Sequence, residues 1–348
     1  MNNPTILVAG ATGKTGGAVV DLLLARGYPV RAAVRGEDAR SAALRARGAE
    51  TSIVDVFDAD QWFDAMKGAQ RVYHVGFFDP FMVQSAAAFA VAARQARLES
   101  VVQLSQWLAG PHHPALATRQ SWLIDQMFAA IPGIAHTIVN PGYFADNYLR
   151  LMDFAAVLGV LPVLTGDSKN APPANEDIAR VAVAALADPD RHGGKRYRPT
   201  GLTLMSAYDM VPVIGSVLGR RVRAFDMPWW MFNRAARLQG VAPADLVALR
   251  HYIVDHEQGA FAYGAPNDVV AEVTGTPAEP FEVTVTRYAG MPFARRTGVN
   301  RRRVIRDFLR TPLRRGFDLE RYEMGEPPAP NPRYAMQDEQ WKARVGGQ

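Results

Sequence analysis

The stretch Ile6–Gly16, reading Ile-Leu-Val-Ala-Gly-Ala-Thr-Gly-Lys-Thr-Gly, constrains this chain more than any other. Ile6, Leu7 and Val8 form an apolar run suited to a buried parallel strand. Gly10, Gly13 and Gly16 follow at three-residue spacing, and a helix-like segment runs from Ala18 to Ala25. Strand, glycine turn and helix in that order make the first half of a βαβ nucleotide-binding unit. Gly10 allows the tight turn out of the strand, Gly13 lets backbone amides approach a pyrophosphate, and Gly16 lets the helix pack close to the sheet. Thr12, Lys14 and Thr15 complete the loop. The helix N-terminus then turns its partial positive charge toward the phosphates. A P-loop needs glycine five positions before Gly13, where Val8 stands. The alternative is a glycine-rich turn that binds nothing.

Further strands are expected at Val30–Val34, Thr51–Val54, Arg71–Val75, Val101–Leu104 and Ile134–Val139, separated by helical segments. Parallel strands carry ligand groups at their carboxyl ends. Gly10, Arg35, Asp55, Gly76 with Phe77, and Ser105 all fall at such ends. Strands of this kind that prefer NAD end in an acid that holds the adenosine ribose. Here Arg35 stands instead, which favours the 2′-phosphate of NADP(H); the alternative is a solvated surface arginine. Asp55 either accepts the adenine amino group or caps a turn. Asn140-Pro141-Gly142-Tyr143-Phe144 follows the sixth strand. Its backbone turn suits the nicotinamide carboxamide, with Tyr143 or Phe144 near the ring. A packed turn with buried aromatics is the other reading.

These motifs together carry a resemblance. Gly-Ala-Thr-Gly-Lys-Thr-Gly at 10–16, Val-Arg-Ala-Ala-Val-Arg at 30–35, the run at 47–58 and Asn-Pro-Gly-Tyr-Phe-Ala-Asp-Asn at 140–147 resemble the NmrA-like branch of the atypical short-chain dehydrogenase/reductase superfamily. The likeness spans about residues 5–205. It implies an α/β fold with a doubly wound parallel (Rossmann) sheet and a smaller, mostly helical C-terminal lobe. It also implies either a reductase of quinone, azo or related acceptors or a non-catalytic NADP-sensing regulator. Ordinary members of the superfamily use a Tyr-x-x-x-Lys pair, with tyrosine as general acid. None of the 11 tyrosines here has lysine four positions later. In the helix after Ser105 the matching region reads Thr118-Arg119-Gln120-Ser121, and Arg119 can hold ribose hydroxyls without sharing a proton. Ser105, Arg119 and Tyr143 are the candidate catalytic residues, with His112 or His113 as further proton donors. The leading expectation is an NADPH-dependent reductase of a flat apolar carbonyl, quinone, imine or azo acceptor.

Composition bounds the rest. With no cysteine among 348 residues, disulfides and thiolate chemistry are excluded, and no His–carboxylate spacing suggests a metal. No signal segment or spanning run is visible, so a cytoplasmic protein is expected. The net charge of +5 conceals one local feature. Phe293–Gly316 holds nine arginines against Asp307, a net +8, which leaves −3 for the remainder. Whole-protein nucleic-acid binding is therefore not expected. The domains expected are 1–150 plus about 171–203 for the dinucleotide, 151–170 and 204–292 for a substrate lobe, and 293–348 as an arginine-rich extension. Tyr148–Thr165 reads as one helix, Phe281–Tyr288 as a strand and the tail as an arm. The apolar stripe Val304, Ile305, Phe308 and Leu309 is expected to dock on the body, forming part of a lid or a homodimer.

Overall fold

The computed structural model describes residues 3–76 and 79–346; the expectation for Phe77 lies outside them. Seven strands form one parallel sheet: β1 (Ile6–Val8), β2 (Val30–Val34), β3 (Glu50–Ile53), β4 (Arg71–Val75), β5 (Ser100–Leu104), β6 (Ala135–Val139) and β8 (Arg196–Tyr197). Their spatial order is β3-β2-β1-β4-β5-β6-β8. Chain order reverses between β1 and β4, so the crevice outside their carboxyl ends is the switch point of a doubly wound fold. Val8 stands opposite Ala32 of β2 and Tyr73 of β4, which sets the register at the crevice.

Both faces of the sheet are covered, as an apolar parallel sheet requires. On one side the helix Lys14–Ala25 packs against the helix Asn175–Ala187, burying Val19, Val20, Leu23, Ile178 and Val181. On the other side Trp62, Phe89, Ile124 and Phe128 close over Leu7, Val72 and Val101.

The expected single helix over Tyr148–Thr165 is instead Ala145–Leu149, Met152–Leu158 and a strand, β7 (Val160–Val163). Gly159 ends the second helix at φ +70, where a side chain would also meet Arg220. The chain then runs parallel to β9 (Arg223–Asp226) in a separate two-stranded sheet. The expected strand at Phe281–Tyr288 is a helix, Phe281–Ala289. The local alternation of Phe-Glu-Val-Thr-Val-Thr is overruled by packing. Thr284, Val285 and Tyr288 fall on one helical face, and Val285 and Tyr288 fill a core with Met152, Leu161 and Ile214.

The C-terminal extension also departs from expectation. In the helix Gly298–Arg310 only Val304 is buried, and Ile305, Phe308 and Leu309 are exposed. The tail is not an arm. Trp341 is buried and its indole donates to the carbonyl of Trp107 at 3.1 Å. Arg119 is buried beneath the same extension. Its guanidinium donates to the carbonyls of His113, Pro114 and Pro327 and so tethers the tail.

Candidate functional site

The site begins with the loop after β1. Gly10 takes φ +67, and a Cβ there would lie 2.2 Å from Val75 Cγ1 across the crevice. Gly16 approaches so closely that its Cβ would lie 2.3 Å from the Gly10 carbonyl oxygen. Any side chain at either position would push helix, loop and strand apart. The Gly10 oxygen accepts from Gly13 N–H at 2.9 Å, closing the turn. Thr12, Gly13 and Lys14 are exposed. The following helix has neither a side-chain cap nor an acid in its first turn. Its first-turn amides and dipole therefore face outward at the switch point, an arrangement that fits a pyrophosphate. Thr15 is buried instead, and its hydroxyl bonds Asn175 Oδ1 at 2.7 Å, fastening the two helices together.

Lys14 reaches out of this loop to Asp146 and Tyr288. Its Nζ bonds the Asp146 carboxylate and lies 3.3 Å from the Tyr288 hydroxyl and 4.9 Å from that ring's centre. Tyr288 also donates to Asp146. No sequence pattern points to this connection, because 274 residues separate Lys14 from Tyr288.

Arg35 is exposed at the end of β2, the strand beside β1. Arg31 is engaged elsewhere, with Glu50 at 2.9 Å and the carbonyls of Ala65 and Lys67. Asp55 caps a turn, accepting from Phe57 N–H at 3.1 Å, and its own N–H donates to Gln61. Gly76 is half-buried at the end of β4, with Met82 beside it.

The segment after β6 is tightly held. Asn140 is fully buried; its amide donates to the Gln106 carbonyl at 2.8 Å and accepts from Arg196 at 2.7 Å. It thereby positions the loops after β5 and β6 against β8. Pro141 is buried and Phe144 packs against the sheet core. The Tyr143 carbonyl accepts from Asn170. The Tyr143 ring stands edge-on to Tyr148 and His256 and tilted against Phe261, with centres 5.4, 4.8 and 5.4 Å away. Burial pushes the Tyr143 hydroxyl up to about 12, from an ordinary value of 10, which makes it a weaker acid than a free phenol. Ser105 Oγ is buried at the end of β5 with no hydrogen-bond partner among the described residues.

Sequence reasoning missed the helix Pro243–Glu257 as a contributor to this wall. Tyr252 on that helix bonds Gln106, and Thr118 bonds the same Gln106 oxygen. His256 stacks on Phe261 at 4.4 Å, and neither ring nitrogen has a partner among the described residues. Burial holds its pKa at about 3, so the ring is neutral. The other polar groups of the helix fasten the tail. Asp255 pairs with His113 at 2.8 Å, while His251 bonds Glu323 and Tyr334. His112 meets the Pro330 carbonyl. Arg198 is buried with its guanidinium 3.9 Å over the Trp107 ring and 5.6 Å from that of Trp341. Among the described residues no group of His, Asp and Glu could hold a metal ion, and no helix is long and apolar enough to cross a membrane.

A sequence profile of the family described as NAD(P)H-binding matches residues 10–189. An NAD(P)H azoreductase from Xenophilus azovorans is 30% identical over 283 residues, covering 79% of this chain and 95% of that protein. Two solved structures share the fold. An NADPH-dependent quinone oxidoreductase from Escherichia coli, complexed with NADPH, superposes with a TM-score of 0.67 at 23% identity, covering 81% of this chain and 99% of that one. NmrA, a negative transcriptional regulator in complex with NAD, superposes with a TM-score of 0.63 at 16% identity, covering 82% and 95%. The match over the glycine loop and most of the sheet, together with the relative at 30% identity, shows the affiliation. The chain belongs to the NAD(P)H-binding family.

Proposed function

We propose that this protein is an NADPH-dependent reductase of a flat, apolar acceptor such as a quinone, azo compound, imine or aromatic carbonyl. The observation that carries this reading is the uncapped glycine loop at the switch point, open to a pyrophosphate, with exposed Arg35 at the neighbouring strand end. The glycine cradle holds the pyrophosphate, and Arg35 meets the 2′-phosphate. NADPH, when bound, supplies the hydride. Tyr143, half-buried beside the carboxyl end of β6, orients the acceptor and offers its hydroxyl proton. The hydride and one proton complete the two-electron reduction of such an acceptor, and Tyr143 recovers its proton from solvent, so no lysine partner is required. The azoreductase and quinone oxidoreductase relatives support this class of acceptor.

A second reading is a non-catalytic NADP(H) sensor with a protein partner. It is favoured by the missing Tyr-x-x-x-Lys pair and by Arg119, whose guanidinium is spent on backbone carbonyls. NADPH oxidation followed across a panel of quinones, azo dyes, imines and aldehydes separates the two. A reductase consumes NADPH only with an acceptor present. Tight binding without turnover on any member of the panel supports the sensor.

A further inference from the structure

The helix Gly298–Arg310 leaves its outer face open. Ile305 and Leu309 stand one turn apart along it, with Phe308 beside them; Ile305, Leu309 and Phe308 are 38%, 64% and 47% exposed. Arg301, Arg302, Arg306 and Arg310 flank this strip. Leu313, in the next turn, is 84% exposed. Val304 and an ion pair from Arg303 to Asp153 at 3.2 Å fix the opposite side on the body. The outer face is therefore held in a set orientation. Arg301, Arg302 and Arg310 make no ion pair among the described residues, so the body does not neutralise them.

We propose that this face rests on the surface of an anionic phospholipid bilayer, with Ile305, Phe308 and Leu309 at the acyl boundary and the arginines on the headgroups. An apolar strip between rows of cations is what an interfacial helix presents to a membrane. The +8 charge of Phe293–Gly316 against −3 elsewhere orients the molecule with this side toward negative charge. The adjoining helix Trp229–Leu238 exposes Trp230 with Arg234 over its ring at 4.9 Å, an amphipathic pair suited to the same interface. A two-fold homodimer through this face is disfavoured, because it would set arginines against the same arginines. Duplex DNA answers the arginines but leaves the apolar strip without a partner.

Co-sedimentation of the full chain with vesicles tests this, comparing pure phosphatidylcholine with phosphatidylcholine containing phosphatidylglycerol. The protein is expected to sediment only with the anionic vesicles, and less so as salt rises. Ile305→Glu with Leu309→Glu should abolish sedimentation while thermal stability and NADPH binding stay unchanged. Arg301→Ala with Arg302→Ala should lower partitioning by about 30-fold. No sedimentation with anionic vesicles overturns the proposal. So does a dimer in light scattering that the Ile305/Leu309 pair of changes dissociates, or binding to duplex DNA stronger than binding to vesicles.

Discussion

The Nζ of Lys14 lies 3.3 Å from the Tyr288 hydroxyl, and both groups bond Asp146, so the glycine loop is joined to the segment after β6 and to the helix Phe281–Ala289. Lys14 follows Gly13 directly, so a pyrophosphate in the cradle competes with Asp146 for its charge. Lys14→Met is expected to weaken NADPH and NADH equally, by about 1 kcal/mol, because both carry the pyrophosphate. Fluorescence titration of the two cofactors measures this. Unchanged affinities with a lowered melting temperature would reduce Lys14 to a fastener.

Arg35→Glu makes the opposite prediction about selectivity. It replaces attraction for the 2′-phosphate with repulsion, so NADPH affinity should fall by about 2–3 kcal/mol while NADH changes little. Equal losses for the two cofactors would remove Arg35 from the site.

Tyr143→Phe removes the hydroxyl that the proposed reduction uses as proton donor. Turnover should fall at least about tenfold with little change in cofactor affinity. The aromatic contacts survive the change, so the melting temperature should hold. A variant with full turnover would leave Tyr143 a packing residue.

The strands of the sheet and its glycine loop were legible because both are local. An apolar triplet, three spaced glycines and a helix follow one another within a few residues of sequence, and each strand end lies close to where the pattern places it. Phe281–Ala289 misleads because its period-two pattern is local, while the Tyr288 contacts that make it a helix are not. The aromatic wall was half legible: Tyr143 belongs to a motif, but His256 and Phe261 approach it from distant parts of the chain. The tail was illegible for the same reason. Trp341 meets Trp107 across 234 residues, and Arg119 has the look of a ribose ligand until Pro327 is seen to lie against it.

Docking of the tail carries a stability prediction. Trp341→Ala removes a buried indole and its hydrogen bond, and the expected loss is about 3–5 kcal/mol in denaturant unfolding. A loss within about half a kcal/mol would mean that the tail adds little to the fold.

Burial holds His256 at about 3, well below the ordinary 6.5. The unfolded chain therefore binds a proton that the folded chain refuses. The stability this ring allows is complete above 6.5 and is lost as the pH falls toward 3. Buried carboxylates such as Asp125 and Asp177 are pushed up and act in the opposite sense, so the effect is best read as a difference. Relative to the parent, His256→Phe should gain about 2 kcal/mol on going from neutral pH to about pH 5. A difference that does not vary with pH would place a charged ring in the native protein.

Reductive chemistry itself is tested most directly by NADPH deuterated at the transferring carbon. With whichever planar acceptor turns over fastest, the protein should oxidise the cofactor only in the presence of that acceptor, and deuteration should slow the step. NADPH that remains intact with every acceptor, although titration shows the protein saturated with it, would contradict the account.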